Sequence, residues 1–259
     1  MPWSVLRDIN PRERVTVAEF ERRIQKLSRR HRGMIRQAMG TPPDPGNVPD
    51  TLWKQIEREH KAALMILLFG AALPTFFVAL GKLARSGQNV DLPDDLRQTL
   101  EEIAAQRANW VAESITNTSR NRLDGWREGD MEQTLRDVFG EDRWRSIARN
   151  ESVAAQSIGG AALAESVRQQ GGIVTEIWFL GKCEHCTLCP MLHGTSRDFW
   201  GNWTDGPPLH PNCCCNLQVF FEPLNVLRDR NLLVRRNPNY AIVNQKMQKV
   251  IRRSPVRLA

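Results

Sequence analysis

The chain has 259 residues, of which 41% are hydrophobic and 25% charged, with a formal net charge of +7 and a pI near 9.4. That length supports a sizeable buried core in one large domain or two small ones, and the absence of any internal repeat or low-complexity tract excludes repeat and fibrous architectures. From residue 224 onward nine Lys/Arg face a single acid, Asp229, so the remainder is close to neutral.

The first element opens at Thr16, whose spacing to Glu19 is that of a capping box, with Val17, Phe20, Ile24 and Leu27 following on one helical face. The pattern predicts an amphipathic helix ending near Gly40. Its other face carries Arg22, Arg23, Lys26, Arg29, Arg30 and Arg32, either a solvated face or a surface for nucleic acid or a partner. TPPDPGNVP, 41 to 49, reads as a loop, because proline denies the backbone a donor and helical freedom. Helical signal resumes at about Leu52.

Between Lys61 and Lys82 lie twenty uncharged residues, AALMILLFGAALPTFFVALG, the length and polarity of a membrane-spanning helix. Gly70 and Pro74 fall mid-segment, and the centre of an all-helical core is apolar all round too. The favoured reading of 62–81 is a buried core helix, with membrane contact as the other. A further helix runs from about Asp94 to Arg122 with Leu96, Leu100, Ile103, Trp110 or Val111, and Ile115 at three-to-four spacing. A short helix from Met131 to Phe139 and a longer one from Arg143 to Gln169 follow, the latter stopped by Gly171 and Gly172. IVTEIWFL, Ile173 to Leu180, is rich in β-branched and aromatic residues and predicts a strand, whose partner is NLQVFFE at 216 to 222. The two strands bracket everything between them and would hold it at the open end of a hairpin-like pair.

That bracketed window contains all six cysteines: Cys183, Cys186, Cys189, Cys213, Cys214 and Cys215. The N-terminal MPWSVLRDINPRER lacks the charged-then-apolar layout of a secretory signal, so synthesis in a reducing cytoplasm is expected, where clustered thiols favour metal over disulfides. A C-x-x-C turn places two thiolates about one tetrahedral edge apart, and a second pair from a distant segment completes a site. The favoured ligands are Cys186, Cys189, Cys213 and Cys215, with His210 as substitute for one of the last pair. Adjacent side chains tend to point apart, so Cys213 and Cys214 do not bind one ion together. Cys183, Cys214, His185 and His193 are bystanders, the first two as additional thiols. Four protein ligands make a closed, structural Zn2+ site; disulfides formed later in an oxidising exterior, or buried free thiols, are the other readings.

Enzymatic readings find little support. A zinc deaminase needs a Glu two residues after a His ligand and a P-C-x-x-C segment, and neither is present. The C-x-x-C pairs lack a thioredoxin-like context, and no H-E-x-x-H, G-x-S-x-G or phosphate-cradling glycine loop occurs.

The order of a helix, IARNE, an alanine-rich helix, a Trp-containing strand, C-x-x-C-x-x-L-x-G and then PPLHPNC-x-C resembles the conserved module of phage head-morphogenesis proteins, the Mu F-like minor head proteins among them. The resemblance covers about Leu135 to Pro223. It falls on Ile147, Ala148, Arg149 and Glu151, on Cys186, Cys189, Leu192 and Gly194, and on Pro208, His210, Pro211, Asn212, Cys213 and Cys215. Asn150, His193 and Cys214 depart from it, standing where the family usually has Thr or Ser, Asp, and Arg. The resemblance implies a low-copy, non-enzymatic virion protein made in the host bacterial cytoplasm, located at the head and portal region, acting in head assembly and in handling or ejection of packaged DNA. Its implied partners are the portal or major capsid protein. The bland readings are an exposed or intrahelical ion pair for Arg149 and Glu151 and a simple loop-closing turn for His210, Pro211 and Asn212.

The expected architecture is α+β and predominantly helical: a helical N-terminal region (1–130), a head-morphogenesis module whose small β-hairpin carries a zinc-type Cys/His knuckle (131–223), and a basic C-terminal tail (224–259). In the tail Arg235, Arg236, Arg252 and Arg253 are the expected contacts to nucleic acid or an acidic partner; a solvated tail is the alternative. The competing functional class is a zinc-ribbon nucleic-acid-binding protein acting free in the cytoplasm. No small-molecule substrate is implied.

Overall fold

The computed structural model describes residues 15–90, 96–126, 129–181, 186–204, 206–209, 213–233 and 238–253, without the side chains of 250–253. The architecture is a helical α+β body bearing one small two-stranded antiparallel sheet.

Helix α1, Val17–Met39, begins where the capping box places it: the Thr16 side chain accepts a hydrogen bond from the Glu19 amide, and Gly40 caps the other end. Its buried stripe is Phe20, Ile24, Ser28, His31, Ile35 and Met39. Two polar residues therefore sit in the core-facing row, while Val17 is exposed. A 3-10 turn at Pro45–Asn47 leads into α2, Asp50–Ser86, which starts two residues before the expected Leu52.

At 37 residues α2 is about 55 Å long. It contains the uncharged run, of which Leu64, Leu67, Leu68, Ala72, Leu73 and Phe76 are almost wholly buried. The helix is long and apolar enough to cross a membrane by length and composition, and 56% of its most apolar window is buried inside the protein. Pro74 has no N–H to give to the Gly70 carbonyl, and the Val15 amide supplies the missing donor at 3.1 Å. The proline in mid-helix thus becomes an attachment point for the residues that lead into α1.

α3 (Leu96–Asp124), α4 (Met131–Phe139) and α5 (Glu141–Gln169) match the predicted segments to within two residues. α5 is the central helix, packing on α1, α2, α3 and the sheet. Its contact with α2 requires a residue without a side chain at 159. A Cβ on Gly159 would lie 2.2 Å from the Ala72 carbonyl oxygen and 2.6 Å from Thr75 Oγ1, so the two backbones approach as closely as glycine allows.

The sheet pairs β1 (Thr175–Phe179) with β2 (Asn216–Phe220), in a register running from Thr175 opposite Phe220 to Phe179 opposite Asn216. Both strands are shorter than the predicted runs. Thr175 through Trp178 are all buried, which explains why alternation was weak in the sequence: both faces of β1 are covered. Gln88, just past α2, binds the Ile173 amide and the Ile173 and Phe221 carbonyls, while Lys82 reaches the Val219 carbonyl at 3.1 Å. These contacts fix the sheet to the end of α2.

After two one-turn helices between the strands, α6 (Cys189–Leu192) and α7 (Arg197–Trp200), the basic C-terminal region is partly helical, with α8 at Leu224–Asp229 and α9 at Tyr240–Arg253. α9 buries Val243 and Met247 completely, and Asn244 accepts a hydrogen bond from the Trp203 indole at 3.0 Å. This part of the tail is therefore docked on the body, which the charge run had concealed.

Candidate metal centre

The connection from β1 to β2 leaves the sheet at its Phe179/Asn216 end and carries both cysteine segments, as the bracketing strands predicted. In the first segment, Pro190 at the start of α6 (Cys189–Leu192) suits a helix's first turn, where its missing N–H is no loss. Gly194 adopts φ +73° and donates its amide to the Trp178 carbonyl at 2.8 Å, while the Trp178 amide donates to the Thr195 carbonyl at 3.1 Å. Ile177 also bridges Ser196. The turn after the first pair of cysteines is thereby hydrogen-bonded to the free side of β1.

The second segment runs directly into β2. Residues two apart in extended chain share a face, which brings Cys213 and Cys215 to the same side and leaves Cys214 on the other. The Sγ atoms of Cys189, Cys213 and Cys215 all lie within 4.8 Å of one another, and the three residues are at most 4% exposed. Cys186 Sγ lies 3.3 Å from Cys189 Sγ and accepts the Cys189 amide, and Cys189 Sγ is 3.9 Å from Cys213 Sγ. For Zn–S bonds of about 2.3 Å, the edge of a regular tetrahedron is about 3.8 Å. Cys189, Cys213 and Cys215 are thus close enough to hold a metal ion, with Cys186 at their edge; all four carry thiols.

The electrostatics of the group suit a cation. Cys213 accepts hydrogen bonds from Cys189 and Cys215, and its thiol pKa is driven far below the usual range in spite of burial. Donating to Cys213 and Cys215 while buried pushes Cys189 strongly up. At Cys215 a hydrogen bond from Cys189 pulls down, but interaction with Cys213 and burial outweigh it and the thiol rises to about 11. One thiolate solvated by its neighbours' protons is the arrangement that a metal ion replaces, displacing those protons.

Three further residues shape the site. The buried Trp178 indole N–H has no acceptor at ordinary hydrogen-bonding distance and faces Cys215, whose thiolate form it favours. Behind it Trp200 packs edge-on at 5.7 Å and donates to the Thr195 carbonyl. On β1, Glu176 is buried yet doubly satisfied, binding Arg168 at 2.6 Å and Arg197 at 3.0 and 3.2 Å. α9 closes one flank, where Lys246 approaches Met191 at 3.6 Å and Tyr240 stacks on Trp203.

Other predicted residues fall elsewhere. Cys214 is disulfide-bonded and so is not an additional thiol; a Cβ at Gly181 would fall 1.9 Å from the Cys214 carbonyl, so this strand exit also touches the window's entry. Cys183, His185, His210, Pro211, Asn212, Arg235 and Arg236 lie outside the described residues, as do the side chains of Arg252 and Arg253 on α9. His193 is exposed, at the edge of the Phe179 ring. Arg149 makes an exposed ion pair with Glu21 of α1, as the bland reading has it, whereas Glu151 departs from that reading and is buried against Arg107 of α3. Neither residue belongs to the cysteine group.

No protein-family model matches the sequence, and neither a curated protein nor a solved structure matches it.

Proposed function

We propose that the chain is a structural protein of a phage head, in which Cys186, Cys189, Cys213 and Cys215 hold one structural zinc ion that locks a rigid knob onto a helical body. The observation that carries this reading is the convergence of buried thiols from two segments that are 24 residues apart at the Cys189–Cys213 contact. A four-thiolate zinc supplies folding energy and leaves no coordination position for water, so no catalytic role follows from it. What points to a phage head is the motif order itself: the same two segments and the Ile147 to Glu151 stretch make up the family resemblance. In this reading the knob docks on the portal or major capsid protein, and His210 remains the substitute ligand.

The test has two arms. Elemental analysis and thiol titration of the purified native protein, before and after Cys189→Ser, should give about one zinc per chain that is lost with the variant. Mass spectrometry of gradient-purified particles from the source phage should then find the protein at low copy, and its deletion should leave defective heads. Absence from particles would refute the head assignment even if zinc is bound.

A second reading, a zinc-ribbon protein that binds nucleic acid, is favoured by the docking of the basic α9 beside the cysteine group. It predicts an affinity of the free protein for DNA that falls steeply with salt and is lost with the metal.

A further inference from the structure

A second polar cluster lies away from the cysteines, at the junction of α1, α2 and α5. His31 and His60 are both fully buried. His31 Nδ1 is 3.2 Å from His60 Nε2, and His31 Nε2 is 2.7 Å from Glu59 Oε2. The rings meet edge-on at 4.5 Å, and the indole of Trp144, from α5, stacks on His60 at 4.9 Å.

These contacts fix the protons. The Glu59 carboxylate is an acceptor, so His31 Nε2 carries its hydrogen. With His31 neutral, its Nδ1 is an acceptor and the hydrogen between the rings belongs to His60 Nε2. His60 Nδ1 is then a bare lone pair, consistent with its having no donor among the described residues. Two neutral imidazoles give every ring N–H an acceptor and leave only the His60 Nδ1 lone pair without a donor. Protonating His31 turns both its nitrogens into donors and sets N–H against N–H. Shifting the His60 hydrogen to Nδ1 relieves that clash only by leaving a buried donor without an acceptor.

The charged surroundings act in the same direction. From α1, Arg30 pairs with Glu59; from α2, Glu59 accepts from His31 and from Gln55; from α5, Arg143 lies near His60, with Arg122 of α3 beyond it; toward α4, Arg32 and Arg36 pair with Glu132. Glu59 already pairs with the Arg30 guanidinium, and Arg143 opposes a further positive charge. Burial and these neighbours both push the two histidines below their ordinary range, His31 to about 4.

We propose that the Glu59–His31–His60 chain is an acid-sensitive latch, which holds α1 against α2 and α5 when both histidines are neutral and releases it when they are protonated. The remaining described polar ties of α1 to the helices around it are the surface pairs Arg30–Glu59, Arg149–Glu21, Arg32–Glu132 and Arg36–Glu132, together with Val15 to Gly70 and Ser28 to the Phe139 carbonyl. Loss of the latch therefore loosens α1, whose remaining hold is its apolar stripe of Phe20, Ile24, Ile35 and Met39, without demanding that α2, α3 and α5 separate.

Hydrogen exchange of the full chain at pH 7.5 and pH 5.0, corrected for intrinsic exchange rates, tests this. Amides of residues 24–35 should lose at least tenfold in protection at pH 5.0, while those at the centre of α3 lose less than threefold. The His31→Gln/His60→Gln variant should show the same protection in 24–35 at both pH values. Equal loss throughout the wild-type body, no loss in α1, or the same acid response in the double variant would overturn the proposal. Should that variant fail to fold, nitrogen-15 spectra of the wild-type imidazoles decide: both rings must be neutral, with Nε2–H, at pH 7.5, and a charged His31 at that pH would sink the latch.

Discussion

Arg107 of α3 and Glu151 of α5 form a two-point ion pair in the core, Nε to Oε2 at 2.7 Å and Nη2 to Oε1 at 2.9 Å, with each side chain 5% exposed. The guanidinium also lies 4.8 Å from the Trp110 ring centroid. Fork-to-fork geometry satisfies both oxygens, which is what lets two charges remain buried.

Removing one partner leaves the other charged and unpaired. Glu151→Ala should cost about 3 to 5 kcal/mol in a denaturant titration. The double variant Arg107→Met/Glu151→Leu should recover most of that loss, because apolar side chains of similar volume avoid desolvating any charge. If the single variant loses less than 1 kcal/mol, the pair is not closed off from water in solution.

Why Glu151 was visible in the sequence and its partner was not follows from distance along the chain. Caps, turn residues and three-to-four spacing are local, so Thr16, Gly40 and the bounds of α4 were legible to within a residue or two. The alternating residues 213 and 215 before β2, with the C-x-x-C pair, located the thiol group for the same reason. The Arg107–Glu151 pair spans 44 residues and the His31–His60 pair 29, and no periodicity records such a meeting. α9 was missed differently: Val243 and Met247 have helical spacing, but nine basic residues against one acid made the region read as a basic tail, either a contact for a polyanion or solvated.

At Gly159 helix propensity and packing disagree about the sign of a substitution. In an exposed helix Gly→Ala stabilises by about 1 kcal/mol. Here the new methyl would sit 2.2 Å from the Ala72 carbonyl oxygen, which cannot move without displacing the α2 backbone. Gly159→Ala should therefore destabilise by about 1 to 3 kcal/mol. A rise in thermal midpoint would mean that α2 and α5 do not approach as closely as this.

The Trp178 indole offers a test of the cysteine centre that spares its ligands. Trp178→Phe keeps an aromatic ring against Trp200 but removes the N–H that faces Cys215. Partners of this kind set ligand basicity, and losing one typically weakens metal binding by about tenfold to a hundredfold. Competition against a chromophoric chelator should show a loss of that order with the secondary structure intact. Unchanged affinity would remove the indole from any role at the site.

The His31 shift also sets the sign of the acid response of the whole protein. Its pKa is about 4 in the folded protein and 6.5 for the ordinary side chain, so below pH 6.5 the unfolded chain binds a proton that the folded chain refuses. The stabilisation is complete above pH 6.5 and is lost as pH falls toward 4, reaching about 3 kcal/mol from this residue. Unfolding titrations at half-unit steps should show stability falling over that window, with a shallower slope in His31→Gln. A wild-type stability that is flat from pH 7 to 4.5 would contradict the buried, neutral state of His31.

The docking of α9 makes a local prediction distinct from all of these. Val243 and Met247 are its two fully buried apolar side chains among the described residues, and Lys246 and Lys249 lie on the same helix. Val243→Ala/Met247→Ala removes the apolar surface that holds the helix down, which should cost α9 at least about 2 kcal/mol of docking energy. When opening is fast, cleavage follows the open population, so trypsin should cut after Lys246 and Lys249 about thirtyfold faster than in the wild type. The global unfolding midpoint should move little, because α9 lies on the flank of the cysteine window, beside Met191 and Trp203. Cleavage at the wild-type rate would show that α9 is held by Asn244, Tyr240 and Lys246 rather than by its buried pair.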